Sequence, residues 1–108
     1  MATTYKVLGQ SNPAATTATT LYTVPASTSA VCSTLSVANI GVSTTFRVAI
    51  RPAGATLANQ HYIVYDSAIN AGSAVYLTIG LSLATTDVVT VYAGTANVAF
   101  GLFGSEVT

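Results

Sequence analysis

Thr44-Thr45-Phe46-Arg47-Val48-Ala49-Ile50-Arg51 alternates without a break. Phe46, Val48 and Ile50 fall on one side; Thr45, Arg47, Ala49 and Arg51 fall on the other. Alternation of this length is the pattern of a strand with one buried face. Pro52-Ala53-Gly54 then ends it, and residues 55–59 read as a loop or a single helical turn. The same period recurs on both sides of this segment. Residues 20–24 form a strand stopped by Pro25. Residues 30–38 put Val31, Leu35 and Val37 on one face and Cys32, Thr34 and Ser36 on the other, ahead of the turn signal Asn39-Ile40-Gly41. Further strands are expected at 61–65, at 75–79 closed by Gly80, at 87–92 and at 97–103, with a short opening strand at 5–8. In the last long one, Val98, Phe100 and Leu102 share a face.

Seven or eight short strands with turns recurring every ~8–12 residues are the signature of an all-β fold, a sandwich or barrel. We expect a compact antiparallel β-sandwich, jelly-roll-like or immunoglobulin-like; the alternation does not give strand order. The 108 residues make one domain with one modest core. Residues 9–19 lack any period and are expected to form a flexible arm, or one lying on a neighbouring subunit.

Composition narrows the function. Only 6% of the residues are charged, against roughly 25% in an ordinary soluble domain, while 51% are hydrophobic. Three basic and three acidic side chains cancel. A surface made of Thr, Ser, Asn and Gln loses little when it is buried against other protein copies. Lys6, Arg47 and Arg51 are too few to bind a phosphate backbone, so no nucleic-acid partner is expected. No run of about 18–20 apolar residues is present to make a membrane helix, and the first residues do not read as a secretory leader. Cys32, the single cysteine, has no basic neighbour to activate it and reads as a half-buried small apolar residue.

The catalytic inventory is thin. Asp66, Asp87 and Glu106 are scattered, and both aspartates adjoin strand ends, where they are expected to bind turn backbone. His61 and Asp66 lack a nucleophile turn, since Gly80-Leu81-Ser82-Leu83-Ala84 misses the second glycine. One histidine and three separated carboxylates make a poor metal set. We therefore expect no enzyme, no metal and no cofactor. The candidate contact residues are Arg47 and Arg51, which share a strand face and could pair with a neighbour's carboxylates, and the tyrosines Tyr62, Tyr65, Tyr76 and Tyr92. Tyrosine suits interfaces because it joins a broad apolar ring to a polar tip.

The runs Thr20-Leu21-Tyr22-Thr23-Val24-Pro25-Ala26 and Phe46-Arg47-Val48-Ala49-Ile50-Arg51-Pro52-Ala53-Gly54 resemble those of small virion structural proteins of tailed bacteriophages, especially of cyanobacterial and marine hosts. So do His61-Tyr62-Ile63-Val64-Tyr65-Asp66, Asp87-Val88-Val89-Thr90-Val91-Tyr92-Ala93 and Phe103-Gly104-Ser105-Glu106. The resemblance implies a β-rich fold and a place in the virion, assembled in the host cytoplasm, and carries no catalytic residue across. Together with the composition it leads us to expect a capsid decoration or cement protein. Its partners would be the major capsid protein or other virion proteins and its own copies, with a trimer as one arrangement. The alternative is a tail, baseplate or fibre module contacting the host surface, with exposed tyrosines binding host glycans.

Overall fold

Two long antiparallel strands, β3 (Ser29–Asn39) and β9 (Val98–Val107), form the centre of the first sheet in the computed structural model, which describes residues 2–108. β1 (Thr3–Ser11) flanks β9, and β6 (Ala74–Leu77) with β7 (Leu81–Leu83) flanks β3. The second sheet is β2 (Thr19–Thr23), β8 (Val88–Ala93), β4 (Thr44–Arg51) and β5 (Tyr62–Ile69), in that order. The pairs β1:β9, β2:β8, β3:β6/β7 and β4:β5 are those of one long hairpin with its tip between β4 and β5. Rolled into two sheets, that hairpin is a jelly roll. An immunoglobulin arrangement would join the strands in a different order. β6 and β7 act as one edge strand, interrupted at Thr78-Ile79-Gly80, so nine segments fill eight positions.

The core lies between the sheets, where Phe46 of β4 meets Phe100 of β9 edge to face at 6.2 Å between ring centres. Val48, Val89 and Val91 from one sheet and Leu35, Val37, Val98 and Leu102 from the other complete the layer, all buried. The faces expected for β4 and β9 are the observed ones at Phe46, Val48, Phe100 and Leu102, although Ala49 is also buried and Ile50 only partly so. Truncating a buried Phe to Ala costs about 3–5 kcal/mol.

β3 departs from the expected faces. A bulge between Cys32 and Thr34 inserts one residue against β9, and a one-residue shift exchanges inside for outside. Ala30 and Cys32 therefore point inward before the bulge, and Leu35, Val37 and Asn39 after it, while Val31 is exposed. Cys32 is not half-buried but only 2% accessible, and burial pushes its thiol up to about 11. Gly104 pairs with Cys32 at the edge of this bulge, and a Cβ there would collide with the Val31 carbonyl.

Other boundaries also move. β1 runs on to Ser11, with Gln10 and Ser11 paired to Gly101 and Phe100, so the arm expected over residues 9–19 shrinks to 12–18. Within it, the Thr16 N–H donates to the Ala93 carbonyl, tying the loop to its own domain. β5 continues past Asp66 to Ile69, and the short strand β7 falls where none was expected. Two 3₁₀ turns, Pro52–Gly54 and Asn59–His61, lie in the β4–β5 connection.

Asn39, expected in a turn, is buried and fastens two connections, β3–β4 and β5–β6, at one end of the roll. Its Nδ2 donates to the Val42 carbonyl at 2.8 Å and the Ile69 carbonyl at 3.1 Å, and its Oδ1 accepts from the Gly41 N–H at 3.0 Å. The Asn39 backbone carbonyl accepts from Gly72. Asn39→Ala should cost about 2–4 kcal/mol, since it strands a buried carbonyl as well as losing the bonds. Gly104→Ala should cost a similar amount, about 2–4 kcal/mol. Urea unfolding checks both, and losses below about 0.5 kcal/mol would show that the bulge and the Asn39 bonds do not hold the roll as described.

Candidate functional site

Arg47 lies on the face of β4 that points away from the core, opposite Tyr92 of β8. On its other side β5 is bulged. Phe46 pairs with Ser67 and Val48 with Val64, so Tyr65 and Asp66 together face the single residue Arg47. Asp66 takes the left-handed conformation, φ 50°, which aspartate tolerates better than bulkier residues do. The bulge places an aromatic ring and a carboxylate beside one guanidinium. The Arg47 Nε donates to Asp66 Oδ1 at 2.6 Å and its Nη2 to Oδ2 at 3.2 Å. Its Cζ is 4.3 Å from the ring centre of Tyr65 and 4.3 Å from that of Tyr92, within the reach of cation–π attraction. Tyr62 meets Tyr65 edge to face, with centres 4.9 Å apart.

The hydrogen bonds from Arg47 hold the Asp66 carboxyl below its ordinary range, and Asp66 in turn raises Arg47. The pair is exposed enough that solvent screens it, so its role is to fix geometry. Beside it, Asn59, Tyr62 and Tyr65 line an open cleft of about 490 Å³. Asn59 comes from the β4–β5 connection, whose Gly54 lies close to the buried Val88. Arg51 secures this connection by donating to Thr90 Oγ1 at 3.1 Å and to the Ala55 carbonyl at 3.2 Å. Asp87 accepts from the Ala53 and Ala84 N–H groups, the turn-binding role expected of it. His61 is buried, and its Nδ1 accepts from the Ala58 N–H at 3.0 Å.

Of the contact residues expected from sequence, the fold gathers Arg47, Tyr62, Tyr65 and Tyr92. Arg51 is next along the same face but is committed to its loop. Tyr76 is elsewhere, 69% exposed on the outer face of the first sheet. Two expectations are corrected. Arg47 pairs with Asp66 of its own chain rather than standing free for a neighbour, and Asp66 binds that side chain rather than turn backbone. Asn59 carries no sequence signal, and Asp66 carries only its tolerance of positive φ.

Glu106 closes the other end of the sandwich. Its Oε2 accepts from the buried Tyr22 hydroxyl at 2.5 Å and its Oε1 from Lys6 Nζ at 3.2 Å. The Tyr22 bond, with help from Lys6, lowers the Glu106 carboxyl, while burial and then Glu106 raise the Tyr22 phenol. All six charged side chains are thus held by partners in the same chain.

The outer face of the first sheet is a second, unlike surface. Tyr5, Ser105, Val31 and Ser82 stand in one row across it, and Gln10, Gly101, Ser36 and Tyr76 in another. Phe103 lies against Gly101, where a Cβ would be 3.1 Å from its ring. No charged side chain belongs to these rows, and Tyr5 is 84% exposed. Among the described residues, no three His, Cys, Asp or Glu side chains group as a metal site would require, and no helix is long and apolar enough to cross a membrane.

Both depressed carboxylates stabilise the fold above their unfolded values and lose that contribution as pH falls through their folded ones. Melting temperature should therefore drop on acidification below about pH 4, and Asp66→Asn with Glu106→Gln should flatten the drop. An equally steep fall in the double variant would contradict the assignment. No protein-family model matches the chain, and no match is found among curated proteins or solved structures.

Proposed function

We propose that this chain is a non-enzymatic structural protein of a bacteriophage virion, a decoration or cement protein that binds the assembled head and bridges capsid subunits. The observation that carries this reading is the uncharged outer face of β1, β9, β3 and β6/β7, with Tyr5, Val7, Val31 and Tyr76 exposed on it. A partner covering this face removes apolar surface from water, worth about 25 cal/mol per Å², and strips solvent from no fixed charge. A specific interface takes about 800 Å² per partner, a modest share of the 5346 Å² surface.

Such a protein stabilises the shell by preferring the assembled state over free subunits. Symmetry repeats the contact, so a weak interface becomes strong in aggregate. The jelly roll agrees with this role but does not select it, because the same architecture carries viral capsid domains, lectins and cupins. The resemblance of residues 20–26 and 46–54 to phage structural proteins points the same way. Self-association, a trimer included, uses the same chemistry.

Virions lacking the chain should release DNA at lower temperature and after milder osmotic shock, and adding the purified protein should restore them. Cryo-EM should show the chain on the head. Unchanged head stability, or density on the tail alone, would overturn the reading.

A further inference from the structure

The cleft beside Arg47 is on the opposite side of the molecule from the uncharged face and has different chemistry. We propose that Asn59, Tyr62 and Tyr65 bind a neutral hexopyranose unit of a glycan, with the Arg47–Asp66 pair as the support that positions Tyr65. This site does not depend on the virion reading and stands or falls separately from it.

Three observations lead there. Tyr65 is exposed, yet its ring is held from one side by the Arg47 guanidinium at 4.3 Å and set against Tyr62 at an interplanar angle of 82°. A ring fixed before binding loses little entropy on binding, which makes it a prepared stacking platform. The apolar C–H face of a pyranose has about the area of one such ring. Around the platform stand neutral groups of both hydrogen-bonding senses. The Asn59 carboxamide offers two donors and an acceptor, and the tyrosine hydroxyls offer both. That mixture matches sugar hydroxyls, which also donate and accept. The volume, about 490 Å³, falls within the range of small-ligand clefts.

Charge selects among ligands. Arg47 and Asp66 neutralise each other, and Arg51 is bound to Thr90 and Ala55. Among the described residues, no free side-chain cation is left to attract a uronate or sulfated sugar. A polyproline segment would dock along parallel aromatic ridges, whereas Tyr62 and Tyr65 stand nearly perpendicular and offer one wall and one edge.

The test is an NMR titration of the labelled full chain with malto-, cello- and galacto-oligosaccharides, using polygalacturonate and decaproline as comparison probes. At least one neutral oligosaccharide should give saturable shifts at Asn59, Tyr62 and Tyr65, with millimolar affinity. Tyr65→Ala should weaken this about tenfold or more, equivalent to about 1.4 kcal/mol. Tyr76→Ala, at a still more open tyrosine on the other sheet, should leave it unchanged. Should Tyr65→Ala fail to fold, Asn59→Ala on the exposed turn decides, with a loss of several-fold expected. No saturable shift from any neutral oligosaccharide, binding of polygalacturonate or decaproline alone, or shifts centred on Tyr5 and Tyr76 would each overturn the proposal.

Discussion

Packing between the sheets, centred where Phe46 meets Phe100, is the interaction on which the other features rest. Each strand that crosses this layer must keep its apolar side inward for the full width of the roll. With 6% charged residues, the chain has few ion pairs to correct a slipped strand, so register depends on burial. Where a strand would drift out of phase, a bulge resets it. The bulge in β3 turns Leu35 and Val37 back to the core, and Gly104 gives it room. The bulge in β5 does the reverse work on the outer face, delivering Tyr65 and Asp66 to Arg47.

The scarce charges are used as internal fasteners. Glu106 joins β9 to Lys6 on β1 and, across the core, to Tyr22 on β2, so it ties the two sheets at one edge. Arg51 and Asp87 hold the β4–β5 connection against its sheet, and Arg47 with Asp66 orders a cluster of rings. None of the six is left to shape a long-range field. The molecule therefore presents one face of Thr, Ser, Val and Tyr without charge, and one face where aromatic rings surround a neutralised pair. We propose different partners for the two faces: a protein surface for the first, a small polar ligand for the second.

Much of this fold was legible in the sequence because alternation survives wherever strands run straight. Residues 44–51 and 97–103 give the layer, and the turn signals separate the strands. Strand order was not legible, since a jelly roll and an immunoglobulin sandwich share the same local alternation and differ in long-range pairing. The faces of Val31 and Cys32 were exchanged because a bulge at Ser33 leaves no mark in residue type. Asp66 read as a strand end because aspartate favours turns, whereas here the same tolerance of positive φ lets the strand continue. Four of the six candidate contact residues converge on one cluster. The Arg47–Asp66 pairing that organises it joins residues 19 apart and depends on that unseen bulge.

On the proposed function, the uncharged outer face of the β1-β9-β3-β6/β7 sheet is covered by protein in the particle. Hydroxyl-radical footprinting of the free chain and of intact virions tests it most directly, because tyrosine reports its own exposure. Tyr5 and Tyr76 should react readily in the free chain and become strongly protected in the particle, while Tyr65 stays reactive in both. Equal reactivity of Tyr5 and Tyr76 in the two states would contradict the claim.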